Sequence, residues 1–65
     1  MSGAPPAYTE SVTWDEGFGC YVWVRAFQNG HTASFLVVTP PQEMTMEMRE
    51  PFERSFQRVM DRGAI

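Results

Sequence analysis

The chain has 65 residues and a hydrophobic fraction of 43%, with five Phe, two Trp and two Tyr, so it forms one small folded domain rather than a disordered tail. Its net charge of -3 disfavours the general phosphate attraction of non-specific nucleic-acid binders. Cys20 is the single cysteine, which excludes an internal disulfide, and the apolar runs are too short to span a membrane. We therefore expect a cytoplasmic protein with no membrane partner.

The N-terminal part predicts a tail followed by a strand. Residues 1–8 have neither a basic residue nor an apolar run, so we expect a flexible tail rather than a signal peptide, and a single domain over 9–65. Residues 11–14 (SVTW) have the composition of a strand. The glycines at 17 and 19 then predict a turn into the next strand.

A β-hairpin is the clearest local prediction. Asn29-Gly30 favours a two-residue type I′ turn, which places Gln28 opposite His31. The arms are 20–28 and 31–39, and the two prolines at 40 and 41 end the second arm.

This register sorts the hairpin side chains into two faces. The face predicted to be the core contains small and apolar residues, namely Val22, Val24, Ala26, Ala33, Phe35 and Val37. The other face contains Tyr21, Trp23, Arg25, Phe27, Thr32, Ser34, Leu36 and Val38. Its aromatic and arginine content is typical of interface cores. We therefore predict partner binding by Tyr21, Trp23, Arg25, Phe27 and Leu36. The alternative is that the strand containing Trp14, the N-terminal tail or the methionine strand of 43–48 folds over this face and buries it.

The C-terminal part predicts a helix. Phe52, Phe56, Val59 and Met60 form an apolar stripe at helical spacing, and Gly63 favours a stop. Because proline suits the first helical position, Pro51 predicts a start near residue 50. The alternating methionines of 43–48 then predict a short edge strand, although their spacing also fits a helix. The fold class is α+β: an antiparallel meander of three or four strands with one C-terminal helix on one face.

The candidate chemical groups do not form a catalytic set. Cys20 and His31 lie at opposite ends of the predicted hairpin, on the order of 25 Å apart, so they cannot act as a nucleophile and base pair. Met44, Met46 and Met48 are interpreted as packing residues rather than as a Cu(I) site. We expect no enzymatic activity, no cofactor and no metal.

Protein binding is the function that the sequence favours. We expect a homodimer or a small regulator or inhibitor that docks on a larger protein, of the kind that a phage or mobile element encodes to block a host complex. The alternative is a nucleic-acid-binding module. It would use the aromatic face or a second candidate site, the row of Arg54, Arg58 and Arg62 at i, i+4 and i+8 on the helix.

Overall fold

A computed structural model describes residues 7–62 and confirms the α+β class. Three antiparallel strands form a sheet of order β1-β2-β3, and the C-terminal helix packs on one face. The elements are β1 (Tyr8–Asp15), β2 (Cys20–Phe27), β3 (Thr32–Val37), a 3-10 turn (Pro41–Glu43) and α1 (Met46–Arg62). Tyr8, predicted to be in the tail, begins β1, whereas residues 1–6 and the predicted stop at Gly63 lie outside the described residues.

The turn between β1 and β2 depends on one aspartate and one glycine. The Asp15 carboxylate accepts the backbone N–H of Phe18 at 3.0 Å, and the Asp15 carbonyl accepts that of Gly19 at 2.8 Å. Gly19 has φ +69°, a conformation that glycine adopts without steric cost. This turn leaves Phe18 at its tip, in solvent.

The turn between β2 and β3 has three residues, so the predicted two-residue turn is wrong. Phe27 N–H donates to the His31 carbonyl at 2.8 Å, and Gly30 N–H donates to the Phe27 carbonyl at 3.0 Å. Gly30 has φ +90°, but Asn29 does not have positive φ, as a type I′ turn requires. The added loop residue shifts β3 by one position, so Trp23 pairs with Phe35 instead of Leu36.

This shift exchanges the two faces of β2. A one-residue change of register pairs each residue of one strand with the next residue of its neighbour. Side chains of the two strands that were predicted to share a face of the sheet then lie on opposite faces. Ala33, Phe35 and Val37 do lie on the core side, as predicted, but they share it with Trp23 and Phe27 rather than with the valines of β2. Val22, Val24 and Ala26, predicted to be core residues, lie on the side of the sheet that α1 does not cover.

The core is aromatic and small. Trp23, Phe27, Val37 and Phe56 are its buried members, and Trp23 and Phe56 are almost completely inaccessible to solvent. The predicted helix stripe is confirmed, because Phe52, Phe56, Val59 and Met60 all belong to this cluster. The ring of Phe56 lies 5.0 Å from that of Trp23 and 5.1 Å from that of Phe35, both edge to face, a favoured aromatic geometry.

The helix begins one turn earlier than predicted, and the edge strand predicted over 43–48 is wrong. Thr45 caps the helix, since its hydroxyl accepts the N–H of Met48 at 3.2 Å. Glu47 in the first turn also favours a start here, because a negative charge complements the helix dipole. Pro51 is therefore inside the helix rather than at its first position. In the helix interior, proline removes one backbone hydrogen bond because it has no N–H.

The other end of α1 is tied to the β2–β3 turn. The side-chain amide of Asn29 donates to the Met60 carbonyl at 2.8 Å and approaches the Val59 carbonyl at 3.5 Å. Its oxygen accepts the N–H of His31 at 2.8 Å. Asn29 thus satisfies carbonyls in the last turn of the helix, which lack partners within the helix. This contact places the C-terminal end of α1 beside the β2–β3 turn. The N-terminus of α1 therefore lies at the opposite end of the sheet, where β1 ends.

Candidate protein-binding surface

Three of the five predicted partner-binding residues are inside the domain. Trp23, Arg25 and Phe27 are 0%, 4% and 6% exposed, because α1 covers the aromatic face. The chain itself therefore buries this face, as the alternative held, but the cover is the C-terminal helix and not the Trp14 strand, the tail or a methionine strand, so the predicted cover is wrong. Tyr21 is half-buried, and only Leu36, at 54% exposed, lies mainly in solvent.

Arg25 is buried at the centre of a charged network. Its Nε–H donates to Glu10 at 2.6 Å, and its two terminal nitrogens donate to the two carboxylate oxygens of Glu53 at 2.7 and 2.9 Å. The guanidinium carbon lies 4.3 Å from the ring centroids of both Tyr8 and Phe56. This planar, bidentate and stacked arrangement suits arginine and not lysine. Because it joins β1, β2 and α1, it is a structural element.

Trp23 and Arg49 extend this network. The indole N–H of Trp23 donates to Glu10 at 2.8 Å, so the one polar atom of this buried ring has a partner. Arg49 contacts Glu53 at 3.2 Å, and its guanidinium lies 5.4 Å from the centroid of the Trp23 ring. Arg25 therefore serves fold stability and is almost inaccessible to solvent.

The network shifts the pKa of its acidic members. Burial raises the pKa of Glu10, but the hydrogen bonds from Trp23 and Arg25 favour the carboxylate and lower the pKa below its ordinary value. The hydrogen bonds from Arg25 lower the pKa of Glu53, against a smaller opposing effect of burial. Desolvation disfavours the charged form of Arg25, yet its hydrogen bonds to Glu53 and Glu10 raise its pKa above the ordinary value.

Several large apolar side chains are exposed on elements that lie at one end of the molecule. This end contains the β1–β2 turn, the segment after β3 and the first turn of α1. We call it the apolar end and define it by Trp14, Phe18, Val38, Met46 and Met48, which are between 45% and 88% exposed. Trp14 rests edge to face on Tyr21, with ring centroids 5.0 Å apart, which orients the indole ring without burying it.

Acidic residues surround the apolar end. They lie in the β1–β2 turn, in the 3-10 turn and in the first two turns of α1, and they are Asp15, Glu16, Glu43, Glu47 and Glu50. A shallow depression of about 600 Å³ here is lined by Met46, Glu47, Arg49, Glu50 and Glu53. Arg49 is the one basic residue of these described elements, and it is already paired with Glu53. The end therefore combines an apolar centre with a negative rim.

The sheet face opposite α1 is uncharged over the whole of its three-strand width. Its cross-strand rows are Thr9–Ala26–Thr32, Ser11–Val24–Ser34 and Thr13–Val22–Leu36. No element of residues 7–62 packs on these rows, and most of their side chains are exposed. We call this surface the open face.

The predicted arginine row is exposed as expected. Arg54, Arg58 and Arg62 lie on the solvent side of α1. Arg54 pairs with Glu50 at 3.2 Å, and both side chains are 67% exposed, so water screens this pair. The row lies toward the C-terminal half of α1, whereas the acidic rim surrounds its first turns.

The predicted absence of catalytic and metal chemistry remains a prediction. Cys20 is buried at the start of β2, and His31 is exposed beyond its far end. The described residues contain no group of three His, Cys, Asp or Glu suited to a metal ion. Met44 packs on the core, while Met46 and Met48, two positions apart on α1, face different directions. The row of thioethers expected from a strand does not form.

Sequence reasoning missed most of the apolar end. The sequence predicts a strand at Trp14 and a turn at Phe18, and it favours packing for the methionines, so it does not predict a shared protein-binding surface. The available signal was the glycine on each side of Phe18, because a large ring at the tip of a tight turn has nothing to pack against.

Within residues 7–62, no helix has the length and apolar character needed to cross a membrane. Comparison of the chain with family models, curated proteins and solved structures found no match.

Proposed function

We propose that this domain is a non-enzymatic protein-binding module that docks on a larger partner through the apolar end. The observation that carries the proposal is the exposure of Phe18 (69%), Trp14 (54%) and Met46 (88%) at the same end of so small a domain. A concentration of large exposed apolar side chains among polar residues is typical of interaction sites. Trp, Phe and Met are also the residue types enriched at the centres of interfaces.

The acidic rim indicates the charge of the partner. Five acidic residues surround the apolar end, so a partner with apolar side chains set among Lys or Arg has complementary charge. Two copies of this end facing each other would instead bring the two acidic rims together. The apolar end therefore favours a different protein over a second copy. Its rim is expected to speed association and to make binding weaken as salt is raised.

Affinity capture with matched bait variants tests this function. The protein is immobilised as wild type, as Phe18→Ser with Met46→Ser, and as His31→Ser. Both substituted sites of the double variant are exposed, so its fold is expected to persist, and far-ultraviolet circular dichroism checks this. His31→Ser is the control, because it changes an exposed residue of the other turn.

The proposal requires a specific outcome. Wild type and His31→Ser should retain the same partner, and the double variant should lose it. We expect at least a tenfold loss, because each buried anchor contributes on the order of 1–2 kcal/mol. Equal recovery by all three baits would refute docking through the apolar end.

Nucleic-acid binding through the arginine row is the second candidate function. It is supported by the exposure of Arg54, Arg58 and Arg62 on one side of α1. A fluorescent single-stranded oligonucleotide should then bind at low salt, and the affinity should fall steeply as salt rises, because phosphate contacts release counterions. Arg58→Ala with Arg62→Ala should abolish the change in anisotropy. Absence of any binding by the wild type at low salt eliminates this candidate.

A further inference from the structure

β3 is an edge strand with unpaired backbone groups. Phe27 and His31 form the hydrogen-bonded pair that closes the hairpin, and such pairs alternate along an antiparallel ladder. The N–H and C=O groups of Ala33, Phe35 and Val37 therefore face β2. Those of Thr32, Ser34 and Leu36 point away from the sheet. No backbone hydrogen bond outside the sheet ladder involves Ser34 or Leu36 within residues 7–62.

The usual protection of an edge is missing from β3. Edge strands are commonly blocked by charged side chains, by proline or by a bulge within the strand. The eight residues of 32–39 (TASFLVVT) contain no charge and no proline, and Pro40 follows only after them. The other edge strand, β1, contains Glu10 and Asp15. An exposed, uncharged edge of this kind favours pairing with another strand.

We infer that β3 pairs with β3 of a second copy of this chain, antiparallel across a two-fold axis, to form a continuous six-stranded sheet. A second copy fits this edge because a two-fold axis places the same residues of both strands near each other. With no charge on 32–39, self-pairing creates no like-charge contact on the strand. The acidic rims also stay apart, since antiparallel pairing puts the two apolar ends at opposite ends of the joined sheet.

The positions of the free backbone groups define the register. Pairing centred on Phe35 sets Ser34 opposite Leu36 of the second copy and Thr32 opposite its Val38. The outward-facing backbone groups of Ser34 and Leu36 then meet as hydrogen-bonded pairs, while the two Phe35 rings are neighbours on the helix side. This register joins the two open faces into one surface.

An apolar groove beside the edge adds contact area. It has a volume of about 410 Å³ and is lined by Leu36, Val37, Val38, Thr39, Met44, Met48 and Phe52. A second β3 placed against the edge lies along this groove. The small core of the monomer gives a reason for the association, because domains of fewer than about 70–80 residues often gain stability by oligomerisation. Val38 and Met48 of this groove also belong to the apolar end, but the partner docking is argued from Trp14, Phe18 and Met46, which do not line the groove. The self-association therefore does not depend on the proposed docking.

A matched pair of lysine variants tests the inference. Ser34→Lys places a charge on the β3 edge, and Ser11→Lys places the same charge on β1. Ser11 and Ser34 belong to one cross-strand row of the open face, and both are exposed. Light scattering measures the mass of each protein from about 1 µM to about 1 mM, the range over which weak associations dissociate. Reducing agent keeps Cys20 as the free thiol.

The expected result is a mass that approaches twice 7.4 kDa at high concentration for wild type and Ser11→Lys, and that stays at 7.4 kDa for Ser34→Lys. Amide hydrogen exchange adds a local readout. In the wild type, protection of the Ser34 and Leu36 amides should rise with concentration, whereas Val24, already paired inside the sheet, should not change. A wild type that is still monomeric at about 1 mM would overturn the inference, because the dissociation constant would then be weaker than about 1 mM. So would a dimer that Ser34→Lys leaves intact.

Discussion

Removal of the buried guanidinium is expected to destabilise the domain severely. Arg25→Ala eliminates the paired hydrogen bonds to Glu53, the contact with Glu10 and the stacking between Tyr8 and Phe56. Breaking a buried ion pair costs about 3–5 kcal/mol. We expect the lower value, about 3 kcal/mol, because the Glu10 and Glu53 side chains are 34% and 41% exposed and water can solvate them. A domain of this size has only about 3–5 kcal/mol of stability, so Arg25→Ala should retain only about 0–2 kcal/mol at 25 °C.

Urea denaturation followed by tryptophan fluorescence measures this effect, with all variants at one protein concentration because association adds apparent stability. Arg25→Lys keeps the charge but loses the planar, bidentate geometry, so we expect an intermediate loss of about 1–2 kcal/mol. Arg54→Ala is the control, because it removes an exposed pair with Glu50 and should cost less than about 0.5 kcal/mol. If Arg25→Ala were as stable as Arg54→Ala, the network would have no structural role and this reasoning would be refuted.

Three further predictions concern local features. Pro51→Ala should raise the midpoint of thermal unfolding, with a gain of about 1–3 kcal/mol, because it restores a helix hydrogen bond at an exposed position; an unchanged midpoint would contradict this. Asn29→Asp should cost about 1–2 kcal/mol in urea denaturation, since it replaces the donor to the Met60 carbonyl by a negative charge at the helix C-terminus, and a neutral result would exclude this cap. The lowered pKa values of Glu10 and Glu53 mean that the unfolded chain binds protons more readily than the native state in acid. Their contribution is thus complete above their unfolded-state pKa of about 4.3 and is lost as pH falls through the lower native values. Glu53→Gln should make the free energy of unfolding less dependent on pH between about pH 5 and pH 3, and an unchanged slope there would contradict the pKa assignment.

Several parts of the fold could be predicted from the sequence because they depend on neighbouring residues. Runs of β-branched and aromatic residues define the strands, and Asn29-Gly30 defines the position of the hairpin turn. The spacing of Phe52, Phe56, Val59 and Met60 defines both the helix and the side of it that is buried. Each of these signals lies within a few residues of the structure that it predicts.

Tertiary structure decided the hairpin register and the surface that remains exposed. Asn-Gly is compatible with loops of two or three residues, and the three-residue loop is the one that places Trp23 and Phe27 beneath α1 and lets Asn29 cap that helix. A change of one residue inverts a face, so Trp23, Arg25 and Phe27 of the predicted interface are buried, while Val22, Val24 and Ala26, the predicted core residues of β2, lie on the open face. Arg25 is buried because Glu10 and Glu53, 15 and 28 residues away along the chain, reach it from another strand and from the helix. Local sequence carries no record of such distant partners. The free energy gained by burying the aromatic side chains selects the arrangement, and the hydrogen bonds to Glu10 and Glu53 offset the cost of burying the arginine.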